Sequence, residues 1–135
     1  MDTRASILVV DDEEVVRRSY ARILAEMDCD AQAAADGEQA LQAMAQRPFD
    51  VVLLDIRMPG MQGLDVLRTI KRRWPASEVV IVTGYPTVES AAKALRLGAC
   101  DYLAKPPHPD ELMDAARGAL RRKKWELKVE PVPVH

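Results

Sequence analysis

Residues 49 to 63 limit what this chain can fold into more than any other stretch. Phe49-Asp50-Val51-Val52-Leu53-Leu54 is too continuously apolar to serve one face only. It predicts a strand covered on both faces, as in a parallel sheet. The run ends at Asp55, after which Pro59, Gly60 and Gly63 force the backbone into a loop. A carboxylate where a central strand meets its loop lies at the edge where open α/β sheets bind ligands. Chemistry is therefore expected at Asp55.

The rest of the chain alternates in the same way. Ser6 to Val10 reads as a short buried strand ended by Asp11-Asp12-Glu13, acids suited to the N-terminus of the helix that follows. That helix is predicted over Glu14 to Met27, with Val15, Val16, Tyr20, Ile23, Leu24 and Met27 at helical spacing. Asp30 to Ala35 is a weaker strand suited to a sheet edge. Asp36-Gly37 marks a turn, and Glu38 to Gln46 a short helix facing inward through Ala40, Leu41 and Met44.

Beyond the loop, Leu64 to Trp74 repeats Leu64, Leu67, Ile70 and Trp74 on one helix face ended by Pro75. Glu78 to Thr83 is a further buried strand. Thr87 to Leu97 is a helix stopped by Gly98, rich in Ala and so expected to bury a thin face. Ala99 to Ala104 is the last strand, followed by Lys105-Pro106-Pro107. Asp110 to about Lys124 closes the fold, and Trp125 to His135 reads as a tail or the start of a linker.

Five strands alternating with five helices imply right-handed crossovers and an α/β, doubly wound, five-stranded parallel sheet. Its smallest arrangement has strand order 2-1-3-4-5, with the switch point between strands 1 and 3. Asp11 and Asp12 then share one crevice with Asp55. Thr83 ends the neighbouring strand and Lys105 follows the next.

Length and composition exclude much else. The 135 residues suit one domain, and 48% hydrophobic with 30% charged is the balance of a globular chain. A net charge of -2 gives no reason to expect nucleic acid or an anionic membrane as partner. No apolar run is long enough to span a bilayer, and the N-terminus lacks the form of a signal peptide. Cys29 and Cys100 lack CxxC spacing and read as thiols of a reducing cytoplasm. With only His108 and His135, a histidine-based metal site or triad has little material.

Three clustered carboxylates repel unless a cation is present, and a hard divalent ion such as Mg2+ suits their oxygens. Lys105 adds positive charge and Thr83 a hydroxyl, both fitted to phosphoryl oxygens. An aspartate can itself be the nucleophile, giving an acyl phosphate. Each group alone has a plainer reading. Asp11 and Asp12 are ordinary helix-capping residues, Asp55 a turn residue, and Tyr102 a half-buried strand aromatic. Arg121-Arg122-Lys123-Lys124 suits the end of a helix and solvent. Their convergence on one sheet edge favours an acidic, metal-binding phosphoryl site.

The same residues resemble the receiver domain of two-component response regulators over about residues 5–123. The matching pieces are Val9-Val10-Asp11-Asp12-Glu13, the stretch Leu54 to Gly63, Val82-Thr83-Gly84-Tyr85, and Gly98 to Pro106. Thr83 to Ala91 is further similar to receivers of nitrogen-regulation-type transcription activators. The resemblance implies a flavodoxin-like fold with the receiver domain over 1–123 and a tail or linker over 124–135. One departure is Pro107-His108, where the family usually has an aromatic residue after the Lys-Pro pair.

By that resemblance, Asp55 takes a phosphoryl group from a sensor histidine kinase or phosphotransfer protein. Asp12 ligates Mg2+ directly, Asp11 acts through water, and Asp55 and the backbone carbonyl of Arg57 supply further oxygens. Thr83 and Lys105 bind phosphoryl oxygens, Tyr102 is the switch aromatic, and the Lys105–Pro106 peptide is cis. Arg57 and Tyr85 flank the site, where the family tunes the lifetime of the phosphoryl group. The readout surface is helix 87–97, strand 99–104 and helix 110–124. It acts on a C-terminal output domain or through a phosphorylation-dependent homodimer. Such a domain is a switch and not a turnover enzyme. The alternatives are a stand-alone receiver serving as relay intermediate or interaction switch, and a phospho-aspartyl hydrolase. The latter usually carries a second Asp two residues on, where this chain has Arg57.

Overall fold

A computed structural model describes residues 4–57 and 62–128, the side chains of 124–128 aside. The expected loop residues 58–61 and tail residues 129–135 lie outside the described residues. Strands β1 (Ala5–Val10), β2 (Cys29–Ala34), β3 (Val51–Leu54), β4 (Glu78–Thr83) and β5 (Asp101–Ala104) alternate with five helices. These are α1 (Glu14–Leu24), α2 (Gly37–Gln46), α3 (Gly63–Arg73), α4 (Val88–Arg96) and α5 (Pro109–Lys128). The sheet is parallel throughout, in the order β2-β1-β3-β4-β5.

The period of two in a strand divides the apolar residues between two cores. Leu8, Val10, Val52, Leu54, Val79 and Ile81 face the side covered by α2, α3 and α4, meeting Met44, Leu67 and Ile70. Ile7, Val9, Val51, Leu53, Val80 and Val82 face α1 and α5, meeting Tyr20, Leu24, Leu112 and Ala116. Burying each such aliphatic side chain stabilises the fold by roughly 1.5–3 kcal/mol. The continuous run at β3 is therefore the signature of a strand with a core on each side.

Element ends differ from expectation for local reasons. α1 stops at Leu24 and not Met27, because Glu26 and Met27 donate to carbonyls three residues back, closing a tight turn. β5 starts at Asp101 because the N–H of Ala99 is committed to Ala94 O, finishing α4. Gly98 makes that exit with a φ of 106°, a conformation that favours glycine. α5 continues to Lys128, past the expected end near Lys124. In α4 only Ala94 is fully buried, matching the thin face expected there.

The last turns of α5 are pinned to the lower edge of the sheet. Arg122 Nε stands 3.3 Å from Glu78 Oε2, and Lys123 Nζ pairs with Asp50 Oδ1. Glu78 is 1% exposed. Lys123, expected to face solvent, thus answers the acid before β3, while Arg122 reaches Glu78 at the start of β4 and stays largely exposed as expected.

Candidate functional site

Parallel register assembles the site. Val10 pairs with Leu54, so Asp11 and Asp55 leave the sheet side by side, and Asp55 N donates to Val10 O at 3.0 Å. Thr83 pairs with Ala104, and Lys105 N donates to Thr83 O at 2.8 Å. Four strands thereby deliver Asp11, Asp55, Thr83 and Lys105 to one edge. Asp12, the next residue after Asp11, completes the group. Asp11, Asp12 and Asp55 each offer an oxygen within 4.8 Å of the other two.

Lys105 joins the acids. Its Nζ donates to Asp55 Oδ2 at 2.8 Å and to Asp11 Oδ2. The remaining oxygens are held by backbone: Asp11 Oδ1 accepts from Glu13 N at 2.9 Å and Asp55 Oδ1 from Arg57 N at 3.0 Å. Asp11 and Asp55 are buried, whereas Asp12 is exposed. Burial opposes the charge on Lys105, but its bonds to Asp11 and Asp55 outweigh this and hold its pKa above the usual lysine value. One ammonium against three carboxylates leaves the cluster net negative. That donor set, all carboxylate oxygen with Asp12 open to solvent, fits a hard divalent cation such as Mg2+.

Around this centre, Thr83 is wholly buried and its Oγ1 accepts from Tyr85 N at 3.2 Å. The guanidinium of Arg57 lies 4.3 Å from the ring centroid of Tyr85, so the two flanking residues cover each other beside the site. Tyr102 is turned to α4, its hydroxyl 2.5 Å from Ser90 Oγ. The Lys105–Pro106 peptide is cis. His108 caps the start of α5: Asp110 N donates to its Nδ1 at 3.1 Å.

Two residues went unrecognised in the sequence. Gly63 is the first residue of α3, and a Cβ there would stand 2.5 Å from Asp55 O and closer still to Ile56 Cα. It is glycine because the helix begins against the backbone that carries Asp55. Tyr20, which reads as part of an apolar stripe, has a buried hydroxyl with no hydrogen-bond partner among the described residues. Burial pushes its pKa up to about 12, with Lys105, Asp11 and Asp55 close enough to act on it. The only signal for it was a polar atom in an oily stripe.

A doubly wound parallel sheet with three acids, a threonine and a lysine on its carboxyl edge defines a receiver-type α/β domain. The chain belongs to the response regulator receiver domain family, whose pattern matches residues 7–117. A putative NtrX-like response regulator of Rickettsia bellii is 39% identical over 129 residues, covering 90% of this chain and 27% of that protein. The DNA-binding transcriptional regulator NtrC of Escherichia coli is 38% identical over 117 residues, covering 87% and 25% respectively. The chain thus spans about a quarter of the length of these curated relatives. Among solved structures, NtrX from Brucella abortus superposes with a TM-score of 0.87 at 37% identity, over 93% of this chain and 29% of that one. A CheY-like receiver domain from Methanospirillum hungatei gives 0.88 at 28% identity, over 92% and 99%. The fold and family are those of NtrC- and NtrX-type response regulator receivers. No helix among the described residues is long and apolar enough to cross a membrane.

Proposed function

We propose that Asp55 accepts a phosphoryl group from a phosphohistidine on a partner kinase or phosphotransfer protein. The observation carrying this reading is the bridge from Lys105 to Asp11 and Asp55 beside the exposed Asp12. A carboxylate oxygen of Asp55 attacks phosphorus as the P–N bond of the donor breaks, and the imidazole keeps the electron pair. Lys105, already at the carboxylate, exchanges an acid oxygen for a phosphoryl oxygen. Thr83 turns its hydroxyl from the Tyr85 amide to a second phosphoryl oxygen. Asp12, Asp55 and the Arg57 carbonyl, with Asp11 acting through water, would hold Mg2+, which would supply positive charge beside the transferring group.

The phosphoryl contacts exist in one packing only, so modification shifts an equilibrium between two arrangements. Tyr102 turns inward as Thr83 moves, and α4, β5 and α5 carry the change to an output domain or to a second copy of this chain. The relatives' names point to transcription as the output. Residues 1–123 act as the receiver and 124–135 as its connection onward. In this reading the domain works in the cytoplasm and contacts neither nucleic acid nor membrane itself. Arg57 and Tyr85 set how long the phosphoryl group lasts by screening it from water. An unchanged decay rate in Arg57→Ala and Tyr85→Ala overturns that last assignment.

Incubation with a small phosphodonor and Mg2+ adds one phosphoryl mass to the protein, and Asp55→Asn abolishes it. Label persisting in Asp55→Asn sinks the assignment.

A further inference from the structure

We propose that the Tyr102 hydroxyl and the N-terminal cap of α4 form a latch that holds the unmodified state, resting on the phosphoryl switch described above. The cap is reciprocal: Ser90 N donates to Thr87 Oγ1 at 3.0 Å, while Thr87 N reaches Ser90 Oγ at 3.4 Å. Ser90 Oγ also donates to Thr87 O at 3.2 Å. Into this small cycle comes Tyr102 from β5, its hydroxyl 2.5 Å from Ser90 Oγ and 3.4 Å from Thr87 N. One serine hydroxyl therefore serves both the helix cap and the aromatic side chain of the neighbouring strand. Tyr102 cannot swing away without taking a partner from the cap.

The bond matters because little else holds this end of α4. Val88 is 89% exposed and Ala94 is the one fully buried residue of the helix. A groove of about 560 Å³, lined by Ile56, Leu64, Tyr85, Thr87, Ser90 and Lys93, leaves room beside the cap. Only Gly84, Tyr85 and Pro86 separate Thr83 from the capping threonine. A pull on Thr83 is thus delivered to the same turn that Tyr102 restrains. Elements held by few buried contacts open at low free energy, and a single hydrogen bond is then a large share of the restraint.

The test is a double-mutant cycle of Tyr102→Phe, Ser90→Ala and both together in the full chain. The first readout is amide exchange at Ser90 and Ala91 in the unphosphorylated protein. Tyr102→Phe keeps the cap intact and speeds exchange about 2- to 10-fold, the factor a net hydrogen bond is worth. Ser90→Ala speeds it further by breaking the cap as well. The double variant exceeds Ser90→Ala by less than Tyr102→Phe exceeds wild type, since the short Ser90 bond is already gone and only the 3.4 Å contact with Thr87 N is left to lose. An unchanged rate in Tyr102→Phe, or full multiplication of the two effects, overturns the latch. The second readout is the rate of phosphoryl uptake from acetyl phosphate, which rises in Tyr102→Phe. Faster exchange without faster uptake overturns the link to switching. A wild-type chain that takes up no phosphoryl group overturns the Asp55 reading instead, and the exchange cycle then decides the latch alone.

Discussion

Lys105 holds the countercharge for Asp11 and Asp55, which come from two other strands. Its removal leaves two buried carboxylates facing each other. Lys105→Met should lower stability by about 1–3 kcal/mol in a denaturant titration without divalent ions. Added Mg2+ should recover much of that loss by supplying the missing positive charge. Gly63 acts through space and not charge. In Gly63→Ala the new methyl group meets Asp55 O and the Ile56 backbone, which cannot rotate away. The expected cost is about 1–3 kcal/mol, the scale of overpacking, read by the same titration. Asp55 was legible in sequence because an acid closes an oily run. Gly63 looked like a loop residue, and its true reason, the nearness of Asp55 and Ile56, is a tertiary fact.

Helices and strands reveal their middles more readily than their ends. The apolar periodicity of α3 and the unbroken run of β3 depend on residues a few positions apart. The end of α1 depends on a change in hydrogen-bond spacing, and the start of β5 on an amide spent on α4. Nor could charge patterning foresee the lower clamp of α5, whose pairs lie 73 residues apart for Lys123 and Asp50. That clamp gives a pH signature. Burial works against the Asp50 carboxylate, but Lys123 and the N–H and hydroxyl of Ser6 outweigh it and hold its pKa below the usual aspartate value. A depressed carboxylate contributes stability that is present above its unfolded pKa and lost as pH falls through its folded one. The stability gap between wild type and Asp50→Asn should therefore stay constant above about pH 5 and close progressively below it. Thermal unfolding across that range checks the sign.

Taken whole, the fold follows from a short list of sequence facts: three oily central strands flanked by two weaker ones, helices between them, and acids at two strand ends that the 2-1-3-4-5 order makes neighbours. The site was legible because each of its groups closes a strand, so strand order alone brings them together. The contacts around it were not, because Ser90 with Tyr102 and Arg57 with Tyr85 join loops and helices whose approach no local pattern encodes. If the acid cluster binds Mg2+, the ion stabilises the native state by mass action, by about 2.7 kcal/mol at a concentration 100 times its dissociation constant. Melting curves with and without Mg2+ should show that rise in wild type and little of it in Asp12→Ala. The clamp beneath the sheet bears on any signal at the same scale. Arg122 and Lys123 tie α5 to the starts of β4 and β3, the two strands whose other ends carry Thr83 and Asp55. A rod fastened at its foot can only swing at its head. If phosphorylation moves α5, its displacement should be greatest near Pro109 and smallest near Lys123. Under the proposed switch, the change would then leave the helix as a tilt and not as a shift.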